Sequence, residues 1–494
     1  MQTSALAVLL LASSASASLF CEYVNANKGC CPACGYRFDQ EQGKCVTGKP
    51  ARSEYCTELL KPEHKGCCEY CNYKWSSGEG KCVQDKAVPL PTAAPLNPPN
   101  ASDKVATARW MVSTFTWGVL STISTRSDGS TIGDAFGNPN SFADVDGVPY
   151  IYGAAMDASF VDILSGKARA SLALSEATLM DKDGQAVISD CKIGSGTFGD
   201  PENPPCARLV LTSTVTRLNA SDPEHAPAKA ALFKRHPSFK SFPSGHDFFV
   251  AKLAIDGIWL IDAYGGAAII DPADYFKGSA SLYRPGLDLH RLSDVNGGMN
   301  VEGSSAAGAL AHPRRSLSHA RTARGLVSDL TWGVLSTVST RKDGATVGDA
   351  FGNPYSFADV GGVPYIYASD LDASMIDAFG TGGKPRASLA LSEASLPGKH
   401  SLLWKEKCEI GTPLGDPENP PCARLVLSGN ITKVAAGSAE ASSAMKALLK
   451  RHPSFASYPA GHGFYVAKVE LDGIWLIDFF GGAAIVKPSD YFNA

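Results

Sequence analysis

The chain has 494 residues, 44% of them hydrophobic, and a formal net charge of −4. That length exceeds one ordinary domain and allows sizeable packed cores. The weak charge and the lack of any dense Lys/Arg block argue against nucleic acid as the main partner, and no run of about 18 apolar residues follows the N-terminus, so no membrane span is expected.

In chain order, residues 1–17 read as a signal peptide. Ala5–Leu11 forms a short apolar core, and Ala15-Ser16-Ala17 fits a cleavage site. Residues 18–86 hold ten of the 14 cysteines in two copies of one pattern: Cys21, Cys30, Cys31, Cys34, Cys45, then Cys56, Cys67, Cys68, Cys71, Cys82. Each copy carries Lys-Gly-Cys-Cys-x-x-Cys, and aliphatic residues are few. A segment with so little core needs covalent staples. In an exported chain these are read as disulfides in preference to a zinc site. With five cysteines per copy, full pairing requires at least one bridge between copies, and the connectivity stays open. Residues 87–104 are a proline-rich, extended linker with a glycosylation acceptor at Asn100.

Beyond the linker the chain repeats itself. WGVLSTISTRSDGSTIGDAFGNPNSFADVDGVPYIY from Trp117 returns from Trp332 with few changes, at an offset of 215. So long a period means duplicated domains, placed at 105–277 and 320–494. Residues 278–319 between them are mostly small and polar and read as a flexible tether; Arg314-Arg315 within it is a candidate processing site. In the first copy a helix is expected over 106–115, and strands over 119–125, 148–152 and 170–174. The alternation along 208–218 predicts a half-buried strand. A helix over 228–235 follows Pro227 and stops at Pro237. Strands over 248–255 and 258–263 flank Asp256-Gly257, a two-residue hairpin signal repeated at Asp472-Gly473. Many short strands with two helices suggest a closed or nearly closed barrel.

The remaining cysteines sit one pair per copy, Cys191 with Cys206 and Cys408 with Cys422. Each pair is expected to staple a long loop ahead of a strand, worth about 3 kcal/mol in the loop-entropy model. Asn219 and Asn430 head two further glycosylation acceptors.

The copies also share KRHPSFKSFPSGHDFFVAK (Lys234–Lys252) and KRHPSFASYPAGHGFYVAK (Lys450–Lys468), identical at fourteen of nineteen positions. As chemistry, His236 or His246 would be an acid/base or a metal ligand, yet neither has an i, i+4 ligand partner and no Ser-His-Asp order is evident. As architecture, Arg235 and His236 would serve the exposed carbonyls of their own helix end. Phe239 and Phe242 would pin the returning loop, and His246 would be a strand-entry residue satisfied by backbone. The architectural reading explains the whole stretch without a substrate.

Each copy resembles a CREG-type glycoprotein, of the cellular repressor family of secreted and lysosomal proteins. The resemblance rests on Trp117–Thr125, Gly147-Val148-Pro149-Tyr150, Arg235-His236-Pro237, Trp259-Leu260-Ile261-Asp262, Gly265-Gly266 and Pro272-Ala273-Asp274-Tyr275. It rests equally on Arg451-His452-Pro453, Trp475–Asp478, Gly481-Gly482 and Pro488–Tyr491 of the second copy. The cysteine-rich module and the tandem arrangement lie outside it. The resemblance implies a mainly β fold with helices (α+β): two split β-barrels in tandem, like FMN-binding proteins of the pyridoxamine 5'-phosphate oxidase type, which pair as dimers. It further implies non-enzymatic proteins with the flavin pocket filled or lost, linked to receptor binding, lysosomal delivery and control of growth or differentiation.

The expectation is therefore a secreted or endolysosomal binding or signalling protein without a cofactor. Its partner would be a glycoprotein receptor or another extracellular protein, and its barrels would pair within the chain or as a homodimer. A flavin- or haem-binding oxidoreductase and adhesion through the cysteine-rich module are the alternatives. If FMN is bound, Ser124, Thr125, Arg126 and His246, with Ser339, Thr340, Arg341 and His462, are the candidates to hold it. A strand-end Ser-Thr-Arg is also an ordinary solvated turn.

Overall fold

The computed structural model describes residues 98–181, 184–242, 244–277, 319–397, 402–412 and 415–494, and four short strands between residues 36 and 84. The expected signal peptide, the expected pairing of the ten N-terminal cysteines, most of the proline-rich segment and the expected tether with Arg314-Arg315 lie outside the described residues. Two compact units divide at Ala93/Ala94. In the first, β1 (Tyr36–Asp39) pairs antiparallel with β2 (Lys44–Thr47), and β3 (Tyr73–Ser76) with β4 (Lys81–Gln84). Each five-cysteine copy thus contributes the same hairpin, Phe38 opposite Cys45 and Trp75 opposite Cys82.

The second unit holds both long repeats. The first runs α1 (Lys104–Thr114), β5 (Trp117–Ile123), β6 (Ala135–Val145), β7 (Val148–Ala154), α2 (Ala158–Ser165), β8 (Arg169–Ser175), β9 (Arg208–Arg217), α3 (His225–Arg235), β10 (Phe248–Ile261), β11 (Ala268–Ile269) and α4 (Pro272–Lys277). Local chemistry sets the helix starts: Asp103 accepts from the Ala106 N–H and Asp157 from the Ser159 N–H. The sheet order β10-β7-β6-β5-β8-β9 closes because β10 also pairs with β9, giving a six-stranded antiparallel barrel with β11 on its flank.

The second repeat runs α5 (His319–Asp329), β12 (Trp332–Val338), β13 (Ala350–Ser356), β14 (Ala358–Val360), β15 (Val363–Ser369), α6 (Ala373–Gly380), β16 (Arg386–Ser392), α7 (Leu402–Cys408), β17 (Arg424–Lys433), α8 (Ala439–Arg451), β18 (Phe464–Ile477), β19 (Ala484–Ile485) and α9 (Pro488–Phe492). Its strand order is the same, but its second strand is broken into β13 and β14 around Phe357. Both repeats are split-barrel folds of mainly β character with helices. Among the described residues no helix is long and apolar enough to cross a membrane.

Two expectations about strands are corrected. Asp256-Gly257 is no hairpin: β10 runs unbroken through it and pairs with β9 from Ala251↔Arg217 to Ile261↔Arg208, with a register shift between Ile255 and Gly257. Neither residue has the positive φ that a two-residue hairpin turn requires. The dipeptide is a β-bulge, and Asp472-Gly473 interrupts the β17/β18 register at the same place. The half-buried β9 is in fact buried on both faces from Arg208 to Ser213. Leu209 and Leu211 join the first barrel's core, whereas Val210 joins a cluster containing Val334, Phe351 and other residues of the second repeat. One face of each barrel is packed against the other repeat.

Candidate functional site at the junction of the two repeats

The repeated Arg-His-Pro stretch lies at this junction. Arg235 does not serve its own helix; its guanidinium donates to the Phe115 and Ser113 carbonyls (3.0 and 2.7 Å), the unpaired end of α1. Arg451 does the same for Leu330 and Ser328 at the end of α5 (2.8 and 2.7 Å). His236 caps no helix with its ring. It is fully buried, with Nδ1 2.7 Å from Asp416 Oδ2 of the second repeat and Nε2 2.9 Å from the Phe142 carbonyl oxygen. His452 mirrors it, 2.6 Å from Asp200 Oδ2 and 3.0 Å from the Phe357 carbonyl. Both ring nitrogens of each histidine face oxygen acceptors, an arrangement that fits an imidazolium.

The carboxylates come from an identical block, GDPENPP, inside each cysteine-closed loop. The Cys191–Cys206 and Cys408–Cys422 disulfides span 15 and 14 residues of chain. Asp416 also accepts from the Ser141 hydroxyl (2.5 Å), and Glu418 from the Ser141 N–H (2.9 Å). Asp200 and Glu202 hold Ser356 in the same way (2.5 and 2.9 Å). Burial pushes Glu418 up to about 8, against the opposing charge of Arg424, and Glu202 is likewise raised by burial. Burial would raise Asp200 too, but the His452 charge and its hydrogen bonds outweigh this and hold it below its ordinary value. Each loop is thus a latch, closed by a disulfide, whose carboxylates grip the other repeat.

Further pairs cross the junction twice over. Arg169 binds Asp349 (2.7 Å) while holding Asp256 of its own bulge; Arg386 binds Asp134 (2.7 Å) while holding Asp472. This accounts for the Asp of each Asp-Gly bulge. The Gly is needed for space: a Cβ on Gly473 would lie 2.9 Å from the Gly129 carbonyl oxygen. Trp475 packs edge-on to Phe136, and Trp259 to Phe351. Near the pseudo-two-fold axis the Ser121 and Ser336 hydroxyls meet at 2.9 Å.

The residues considered for FMN phosphate lie elsewhere and are engaged. Arg126 forms a forked pair with Asp162 (3.0 and 3.1 Å), whose carboxylate also takes the Thr125 N–H and the Thr122 and Thr125 hydroxyls. Asp162 is fully buried, and Arg126 lies over the Phe136 ring. Arg341 and Asp377 repeat this, as do Thr340 and Asp377. Ser124 bonds the Arg126 carbonyl and Ser130; Ser339 bonds the Arg341 carbonyl. His246 and His462 are exposed, their rings beside Phe248 and Phe464, and hydrogen-bond to neither turn. The guanidinium charge a phosphate would need is already matched by a carboxylate of the chain. A cleft between the repeats, walled by Trp117, Trp332, Ala390 and Ser392, encloses ≈ 10 Å³, room for about one water molecule and far below the roughly 300–1,000 Å³ of ordinary ligand pockets. These residues do not fit a flavin.

The CREG β-barrel family profile matches residues 99–277 and 314–493, most of the chain. The chain belongs to the CREG β-barrel family. Protein CREG1 of Gallus gallus is 36% identical over 183 residues, spanning 35% of this chain and 85% of the relative. Human CREG1 is 33% identical, spanning 35% of this chain and 73% of its own, and human CREG2 is 32% identical, spanning 36% and 58%. Each matched span is about one repeat long. Among solved structures, a heme binding protein from Mycobacterium smegmatis is 20% identical over 36% of this chain and 61% of its own, with a TM-score of 0.28. An FAD-binding protein from Mesorhizobium loti is 10% identical over 32% and 91%, with a TM-score of 0.22.

The sequence reading passed over Asp200, Glu202, Asp416 and Glu418. The available signal was the block GDPENPP, unchanged in two loops that otherwise differ.

Proposed function

We propose that this CREG-family chain is a non-enzymatic binding or signalling glycoprotein in which one chain supplies the paired-barrel unit that two chains would otherwise form. The observation that carries the reading is the double use of every anion-recognising arginine considered for a cofactor: Arg126 and Arg341 are neutralised internally by Asp162 and Asp377. The facing barrel surfaces are filled by each other, which leaves the outer surface for recognition. A secreted or endolysosomal setting is supported by the N-terminal apolar segment and the cysteine usage. Acceptors Asn100 and Asn219 are exposed, and Asn430 is half-buried with its oxygen 3.3 Å from Arg386 Nη1. A glycoprotein receptor is the proposed class of partner.

The test is an absorption spectrum of the natively glycosylated chain, followed by titration with FMN and with haem while thermal stability is monitored. A colourless protein with an unmoved melting temperature is expected. A stoichiometric flavin or haem band would overturn the reading in favour of a cofactor enzyme. Removal of residues 18–86 checks the adhesion alternative: attachment to cells should survive it if the barrels carry recognition.

A further inference from the structure

The two disulfide latches are related by pseudo-symmetry but differ in charge. Beside Cys191–Cys206 stands Glu176, buried, its carboxyl 3.9 Å from Cys191 Sγ and accepting the Ala207 N–H. Its charged neighbours are Asp190 and Asp262, and the latter is paired by Lys104. Burial and Asp190 push the Glu176 carboxyl up to about 7. In the second repeat Glu393 accepts the Ala423 N–H in the same way. There, however, the residue before the cysteine is Lys407, whose Nζ lies 3.6 Å from Glu393. Where one disulfide follows an acid, the other follows a base. A thiolate leaves a disulfide faster beside a cation and slower beside a carboxylate.

We propose that Cys408–Cys422 is a thiol-exchange site for dithiol reductants, and that opening it releases the Asp416/Glu418 latch while the Cys191–Cys206 latch stays closed. A reductant thiolate attacks one sulfur of the bond, and the S–S bond breaks. The departing cysteine leaves as a thiolate at a site where Lys407 offsets the charge of Glu393, whereas no cation is paired with Glu176 beside the other bond among the described residues. The reductant's second thiol then resolves the mixed disulfide. Two electrons pass to the protein, two protons complete its thiols, and the reductant leaves as a disulfide. Both sulfurs are buried, so exchange proceeds from a locally opened form. The functional consequence lies at the junction. Asp416 and Glu418 hold His236 and Ser141 of the first repeat only while their loop is held in place. Reduction of one bond therefore loosens one half of the pseudo-dimer and leaves the Asp200–His452 half intact.

The experiment is graded reduction of the full native chain with dithiothreitol, rapid alkylation, and peptide mass mapping of the two pairs. Cys408 and Cys422 should be alkylated before Cys191 and Cys206, by a margin on the order of tenfold, as one to two units of thiol pKa would give. Lys407→Asp should shrink the margin and Asp190→Lys should speed the first pair. The wild-type comparison is internal, so it needs neither variant to fold. Hydrogen exchange at the Ser141 amide should rise with Cys408 alkylation while the Ser356 amide stays protected. Simultaneous opening, earlier opening of Cys191–Cys206, or an unchanged Ser141 amide would each overturn the proposal.

Discussion

Replacing Asp416 by alanine tests whether the cross-repeat histidine pairs hold the barrels together. His236 and Asp416 are both fully buried, at 2.7 Å, and Asp416 also takes the Ser141 hydroxyl and the Glu418 N–H. The substitution leaves a buried imidazole nitrogen, a hydroxyl and an amide without their acceptor. Breaking one side of a buried pair costs about 3–5 kcal/mol, a large share of the ~5–15 kcal/mol that holds a typical domain. The pair itself is a different matter, because the desolvation of two charges offsets most of their attraction. The double variant His236→Phe, Asp416→Leu should therefore recover most of the loss. Equilibrium unfolding in guanidinium, run on wild type, His236→Phe, Asp416→Leu and the double variant, closes the cycle, with Asp416→Ala measured beside it. A loss below about 1 kcal/mol for Asp416→Ala, or strictly additive single losses, would refute the view that this pair is a buried, coupled clamp.

Other outcomes follow from the same geometry. Arg126→Ala should destabilise the first barrel by about 3–5 kcal/mol in thermal or chemical unfolding, because it leaves the buried Asp162 carboxylate with neutral donors only and no countercharge. Gly473→Ala should cost about 1–3 kcal/mol by pushing a Cβ into the Gly129 carbonyl. Glu418 and Glu176 are raised to about 8 and about 7 in the folded chain and return to the ordinary 4.5 on unfolding. The folded state thus holds more protons between those values. Stability should be highest below about pH 4.5 for these two terms and fall as pH rises toward 8, by at most about 1.4 kcal/mol per unit for each group. Unfolding midpoints of Glu418→Gln should show a flatter pH profile than wild type; an equal slope would place the proton elsewhere.

Much of this protein is written in its sequence. The 215-residue echo gives two domains, β-branched runs locate most strands, and proline and capping aspartates bound several helices. Local steric and hydrogen-bond preferences decide those features, and they need only neighbouring residues. Asp256-Gly257 shows where such reasoning stops: the dipeptide suits a tight turn, yet β9 pairs along the full length of β10 and the second repeat packs against the bulge. The same holds for β9, whose second buried face exists only because another barrel covers it. His236 and Asp416 are 180 residues apart, and both copies carry the same histidine motif and the same GDPENPP block. Composition, spacing and periodicity are identical whether each histidine takes the carboxylate of its own repeat or of the other. Only the tertiary structure decides that, because the choice depends on which surfaces are desolvated against each other, and that is a property of packing between repeats, not of either sequence copy.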